Sequence, residues 1–408
     1  MKTYTKRQIY IDKIKPFIDK DIIKVLVWQR RCGKSYILYQ LMDELVKSYK
    51  VRQSQIIYIN KELNEFDKIT NYQELLDYIK NTGSTKKENQ DKIYIFIDEI
   101  QDIIWFEKAL RDLQAIWWYD IYISGTNANL LSSEIATYLT GRYIEFTIFP
   151  LNYIEFLQFH KLTNSKESFL KYMTFGWLPY LINLELDQNI TGDYIKSVYN
   201  TILLKDIIRR YNIRNVDFMD RLMVYISDNI WQLFTANNIS LYLKSQKVDI
   251  NTNVVLNYVN YLSSVFLINK VKRFDIVGKK LFEVSEKIYF SDLGIRNMLI
   301  WWYKQTDISK ILENIIYIHF RSLWYDVYIW KLWTKEIDFV VTKWNDKKYI
   351  QVCYLLADQS TIDREFWNLL QIKDNYEKIV LSMDDFISWD YQGIKHYNII
   401  DYVSNFSN

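Results

Sequence analysis

Between Ile22 and Pro150 the chain alternates short β-branched runs with longer amphipathic stretches. Lys24-Val25-Leu26-Val27 reads as a buried strand and Lys34 to Tyr49 as the helix after it. Ile56 to Ile59 is a second strand, and Asn71 opens a helix running through Ile79. After a polar stretch from Ser84 to Asp91 come a strand at Ile93 to Ile97, a helix at Glu107 to Ile116, and strands at Ile121 to Ile123 and Ile144 to Ile148. Strands that alternate with helices predict a parallel sheet with helices on both faces.

The period then changes. Leu151 to about Lys205 is helical in pattern, and Arg221 to Phe290 reads as three helices followed by a basic hairpin over Lys270 to Tyr289, which is winged-helix-like. From Ile311 a helix precedes strands at Val327 to Ile329, Ile337 to Thr342 and Tyr349 to Tyr354, a helix from Asp363 and a strand at Ile379 to Leu381. The expected division is therefore 1–150, 151–295 and 296–408. A chain of 408 residues is too long for one ordinary core, which agrees.

Composition narrows the classes without choosing among them. Basic and acidic residues nearly balance, 52 against 49, so charge alone neither requires nor excludes a nucleic-acid partner. Cys32 and Cys353, with His160, His319 and His396, supply neither a disulfide framework nor zinc-ligand spacing. No apolar run approaches the roughly 18 residues of a membrane span, and the charged N-terminus lacks a signal-peptide core. A reducing, cytoplasmic setting without membrane association is expected.

Chemistry concentrates at the strand ends. Trp28-Gln29-Arg30-Arg31-Cys32-Gly33-Lys34-Ser35 follows the first strand and opens the first long helix. Except at its first position it fits the phosphate-binding pattern G-x-x-x-x-G-K-[ST], with Tyr36 one step into the helix. Backbone N–H groups and the helix N-terminus attract phosphate, Lys34 is expected on the β- and γ-phosphates of ATP, and Ser35 on Mg²⁺. Asp98 and Glu99 end the third strand, Asp98 as a Mg²⁺ partner and Glu99 to orient and deprotonate water. An acidic pair there also reads as a cap for the following helix. Ser124-Gly125-Thr126-Asn127 ends the next strand, where Asn127 or Thr126 is a candidate γ-phosphate sensor and a polar turn is the plain alternative. Arg142 is a candidate for stabilising the transferring phosphoryl group, and equally a surface arginine.

These residues, with Ile97-Asp98-Glu99-Ile100-Gln101, Ser124 to Ala128, Leu139-Thr140-Gly141-Arg142-Tyr143 and Pro150-Leu151, resemble a prokaryotic AAA-type, STAND-like P-loop ATPase family. The likeness continues through Leu178-Pro179-Tyr180-Leu181, Ser291-Asp292-Leu293-Gly294, Leu312-Glu313-Asn314 and Glu336-Ile337-Asp338-Phe339. It implies an ATPase core, a winged helix and a C-terminal domain related to restriction-endonuclease-like nucleases. Such a nuclease needs carboxylates around Mg²⁺ and a nearby lysine. Glu313 and Asp338 suit that role, but the third strand offers Gln351-Val352-Cys353, so an inactive nuclease fold is expected. The hairpin cations Lys270, Lys272, Arg273, Lys279, Lys280 and Lys287 suit a DNA backbone or simply solvent. The reading is an ATP-driven switch or motor acting on its downstream domains and a protein partner. A nucleic-acid-binding module with ATP as a structural ligand is the alternative.

One anomaly remains. Nine glycines stand where average usage gives about 29, and tryptophan reaches 14. Trp28 occupies the glycine position of the phosphate loop. Trp117-Trp118, Trp177 and Trp301-Trp302 fall in expected turns, and Trp324, Trp330 and Trp333 surround the C-terminal strands. Some bacterial lineages decode UGA as glycine, and these tryptophans are expected to be such codons read in the standard code.

Overall fold

A computed structural model of the chain describes residues 4–84, 91–116, 118–127, 139, 141–230, 233–234, 236–245, 250–275, 286–302, 307–332, 335–385 and 389–405. Trp117, Ala128, Thr140, Lys279, Lys280, Trp333 and most of the polar stretch (85–90) lie outside them. The chain divides into two compact units, Met1–Ile148 with Ser264–Phe266, and Phe149–Ser263 with Leu267–Asn408.

The first unit is built on a five-stranded sheet of β1 (Ile23–Val27), β2 (Ile56–Asn60), β3 (Ile93–Asp98), β4 (Tyr119–Gly125) and β5 (Tyr143–Thr147). All its pairings are parallel, in the order β2-β3-β4-β1-β5. Every residue of β1 and β3 is buried, as strands covered on both faces require. Ile93, Ile95 and Ile97 share one core with Leu75 and Ile79 of α3 (Tyr72–Ser84) and with Leu110 and Leu113 of α4 (Phe106–Gln114). The alternate residue Phe96 faces the other way and stacks on Tyr122 of β4 at 4.5 Å. The helices α1 (Gln8–Ile14) and α2 (Lys34–Ser48) complete the unit, and α2 buries Ile37, Leu38, Leu41 and Leu45.

The second unit begins with helices α5 (Tyr153–His160), α6 (Lys166–Phe175) and α7 (Gln188–Thr201), the last continuing into a π-helical stretch, Ile202–Ile208. Then follow α8 (Val216–Asp228), the short strand β6 (Leu233–Phe234), α9 (Ala236–Ser245), α10 (Thr252–Ser264), β7 (Ile268–Asp275) and β8 (Glu286–Phe290). After α11 (Leu293–Leu299) and α12 (Ile308–Ser322) come β9 (Asp326–Leu332), β10 (Lys335–Lys343), β11 (Asp346–Val352), α13 (Gln359–Leu370), β12 (Glu377–Ser382), β13 (Trp389–Tyr391), β14 (Ile394–Asn398) and α14 (Ile399–Asn405). Nine strands form one mixed sheet, β13-β14-β12-β11-β10-β9-β7-β8-β6. The parallel pairing of β7 with β9, Phe274 opposite Trp330, carries that sheet across the sequence boundary expected at residue 295.

Inside this unit Asp292 is fully buried and caps α11 by accepting the N–H of Ile295 at 3.1 Å. It also accepts the N–H of Trp177 at 2.6 Å. Gly176 lies against it with φ of +80°, and a Cβ there would sit 2.4 Å from the N of Gly294. Only glycine fits that approach.

Among the described residues, thirteen non-glycine positions take positive φ, and five of these are Trp105, Trp301, Trp302, Trp324 and Trp344. Trp301 and Trp324 each stand just past a helix end. Trp301 N donates to Met298 O and Trp302 N to Asn297 O, while Trp324 N donates to Arg321 O and Tyr325 N to Phe320 O. That double bond is the Schellman ending, whose left-handed residue is usually glycine. Trp344 is the first loop residue of the tight β10–β11 hairpin, after the Lys343–Asp346 pair, another glycine position. Two expectations are corrected. Trp177 has ordinary φ and is fully buried, its indole N–H bonded to Tyr172 O at 3.0 Å, so it is a core residue rather than an open turn. Trp28 is also absent from the left-handed set. Its indole is buried and stacks on Phe266 at 4.6 Å.

Candidate functional site

The loop from Trp28 to Ser35 leaves the carboxyl end of β1 and enters α2. Its left-handed residues are Arg31, at φ +69°, and Gly33, at φ +101° and preceding α2. The N-terminal segment braces it, because buried Arg7 donates from Nη1 to Cys32 O at 3.1 Å and from its backbone N to Gln40 Oε1 at 2.9 Å. Cys32 is wholly buried, and burial raises its thiol above the usual range, which leaves it unreactive.

Lys34 is nearly buried, and its ammonium turns back onto the carbonyls of Trp28 at 3.0 Å and Gln29 at 2.9 Å. The Gln29 amide is completely buried, and neither of its polar atoms has a hydrogen-bond partner. An ammonium resting on loop carbonyls, in a loop that also holds an unsatisfied amide, suits an incoming polyanion. Arg31 and Tyr36 are exposed, and Ser35 is half-buried.

The register Asn60–Asp98 brings the ends of β2 and β3 together beside this loop. Asp98 accepts from Ser124 Oγ, from Ser35 and, at 3.4 Å, from the Tyr58 hydroxyl. Burial, and then the Glu99 charge, push its carboxyl above the ordinary range. The hydroxyl donors Ser124 and Ser35 and the Lys34 charge oppose the shift. A carboxylate and a hydroxyl meeting this way make a hard oxygen donor set of the kind Mg²⁺ takes alongside phosphate. Two protein ligands suffice for that. Among the described residues no three His, Cys, Asp or Glu side chains are grouped to hold a metal ion.

Glu99 is buried and left-handed, with φ of +59°. Its N–H donates to Ser124 Oγ at 3.2 Å. Its carboxylate accepts from Gln101 Nε2 and from Thr126 Oγ1, the latter at 3.4 Å. The sequence left Asn127 and Thr126 as alternatives. Thr126 is in contact with Glu99, and Asn127 is buried next to it in the chain.

Arg142 is at the wrong edge. Its carbonyl accepts the N–H of Ile23, the first residue of β1, and its side chain is exposed. Five strand residues at roughly 3.3 Å each separate that end from the loop, so Arg142 does not join this chain's own site. Sequence reading placed Arg30 among the nucleotide-binding residues of the loop. Its Nη1 is 2.7 Å from Glu62 Oε1 and its Nη2 is 3.9 Å from Glu99 Oε2. No motif signals a pair 32 positions apart, nor the buttress from Arg7.

The second cluster lies in the nine-stranded sheet. Lys287 is buried between Glu336 at 2.9 Å and Glu313 at 3.6 Å, and Tyr289 donates to Glu313 at 3.3 Å. Asp338 accepts the N–H of Val352 at 2.8 Å, and Gln351 donates to Glu365 at 3.0 Å. Lys287 is therefore withdrawn from the set of cations facing a DNA backbone. Lys270 is tied to Glu286 at 3.4 Å, while Lys272 remains exposed.

The family described as AAA domain matches residues 20–157, and the Domain of unknown function (DUF8612) matches residues 166–306. An uncharacterized protein of Haemophilus influenzae is 31% identical over 406 residues, covering 98% of this chain and 99% of its own length. An uncharacterized protein of Methanocaldococcus jannaschii is 31% identical over 356 residues, covering 82% of this chain and 75% of its own. The solved Walker-type ATPase of Pyrococcus abyssi is similar in fold, with a TM-score of 0.50 at 16% identity over 72% of this chain and 96% of that one.

Proposed function

The chain belongs to a family of AAA-domain P-loop proteins with members in Haemophilus influenzae and Methanocaldococcus jannaschii, and on that premise we propose that it is a Mg²⁺-dependent ATPase. The observation that carries the reading is the meeting of Lys34, Ser35, Asp98 and Glu99 at the carboxyl ends of parallel strands, where open α/β sheets bind ligands. ATP phosphates would lie on the N–H groups of residues 29–36, taking Lys34 from its two carbonyls. Ser35 and Asp98 would hold Mg²⁺, which when bound neutralises charge on the phosphate oxygens. Glu99 would accept the proton of the water whose oxygen attacks the γ-phosphorus as the bond to ADP breaks. Thr126 and Gln101 keep that carboxylate in place. The test is Mg²⁺-dependent ATP binding measured by titration. Lys34→Ala should abolish it and Glu99→Gln should preserve it; retained affinity in Lys34→Ala would refute the site.

Coupling to the rest of the chain is supported by Ser264–Phe266, which clusters with the first unit although the residues on both sides of it belong to the second. Phe266 stacks on position 28, at the head of the loop, so the loop and this connector respond to each other in the proposed switch. The order α8-β6-α9-α10-β7-β8 supports a winged-helix-like module. With Lys287 buried, DNA contact there would rest on cations such as Lys272, and turnover measured with and without duplex DNA separates a motor on DNA from a switch on protein. The Glu313, Glu336, Asp338 and Lys287 cluster is proposed as structural, because Lys287 already pairs with Glu336 and Glu313 and Asp338 is engaged by the N–H of Val352. Metal-dependent DNA cleavage lost in Asp338→Ala would contradict that.

The tryptophans at positions 105, 301, 302, 324 and 344 support recoding of UGA as glycine, since each holds a backbone conformation suited to a residue without Cβ.

A further inference from the structure

We infer that Arg30 is a positioning residue for Glu99, itself set by Glu62, so that the loop after β2 helps to aim the carboxylate that handles water. This rests on the ATPase reading. Arg30 is buried within a loop whose neighbour Arg31 is exposed. One arm of its guanidinium is fixed on Glu62 at 2.7 Å and the other reaches Glu99 at 3.9 Å. The planar fork makes those two directions interdependent.

Glu62 is placed by the end of its strand. Its N–H donates to Asn60 Oδ1 at 2.8 Å, and Leu63 N donates to Asn60 O at 3.0 Å, closing a turn on the last residue of β2. Asn60 is in register with Asp98, so Glu62, Arg30 and Glu99 come from three chain segments that meet at one sheet edge. Stability does not explain the arrangement. The Glu62 side chain is 44% exposed, and ion pairs of that kind contribute little to folding. The Arg30–Glu99 side is different, with both side chains 8% exposed or less, where screening is weak. The backbone of Glu99 is anchored by Ser124, but its carboxylate direction depends on side-chain partners, and Arg30 is the cation among them.

The experiment is steady-state Mg²⁺·ATP turnover of the full chain, compared with the same chain carrying Glu62→Gln, Arg30→Met or Arg30→Lys. A misaimed general base forfeits part of its roughly 10²–10⁴-fold contribution. Glu62→Gln should therefore lower kcat by about tenfold with KM for ATP within about twofold, and with an unchanged thermal midpoint. Arg30→Met should lose more, and Arg30→Lys should recover part of that loss. Parent kcat in Glu62→Gln, or a rise in KM with kcat intact, overturns the positioning role and leaves the ATPase reading standing. A parent chain without turnover overturns both.

Discussion

A residue with a Cβ in the left-handed region costs roughly 1–2 kcal/mol, while glycine loses roughly 0.5–1 kcal/mol through its freer unfolded state. At Trp301, 90% exposed, and Trp344, 96% exposed, no buried indole offsets the balance. Trp301→Gly and Trp344→Gly should each stabilise the chain by about 0.5–1 kcal/mol in denaturant melts. Trp177→Gly should cost about 3–5 kcal/mol, since that indole is fully buried. Peptide mass spectrometry of the protein from its native host should find glycine at positions 301, 324 and 344; tryptophan there would end the recoding proposal. At this scale the sequence was legible wherever chemistry is local. Lys34, Ser35, Asp98 and Glu99 sit in short runs whose spacing encodes strand end and helix start. It misled at Trp28 and Trp177, because a missing glycine says nothing about the φ actually adopted. It missed the Arg30–Glu62 and Arg7–Cys32 contacts because they join residues far apart in the chain.

Elements followed from periodicity where it was strong. The five parallel strands and α2 fall within a residue or two of their expected limits, since continuous apolar runs and a loop-to-helix transition leave little choice. The short strands β13 and β14 and helix α14 escaped, because five residues such as Ile394-Lys395-His396-Tyr397-Asn398 bury too few apolar groups to show a period. Helix α13 starts at Gln359 rather than at Asp363, because Asp358 accepts the N–H of Thr361 and caps it earlier. The cap of α11 carries a pH prediction. Burial raises Asp292 from 3.8 to about 6, against the N–H groups of Trp177, Ile295 and Gly294. Between those values the folded chain holds a proton that the unfolded chain has released. The stability this group contributes is therefore complete below about pH 4 and is lost as pH rises through about 6. Denaturant midpoints at about pH 4.5 and about pH 7 should differ more in the parent than in Asp292→Asn. An equal difference in both would show that Asp292 does not titrate in the fold.

For the whole molecule, the AAA-domain match over residues 20–157 falls largely on the first of the two compact units. The sequence separated a helical region from the C-terminal strands, and the nine-stranded sheet joins them. Periodicity identifies strands but not their neighbours, so the β7–β9 pairing could not be read in advance. For the same reason Arg142, close in the chain to the end of the AAA domain, proved to stand at the far edge of its sheet. The direct test of the central claim is phosphate release from Mg²⁺·ATP by the full chain, with and without Glu99→Gln. The account predicts saturable release that falls at least about 100-fold in the Glu99→Gln chain while ATP still binds; equal release by both chains would contradict it.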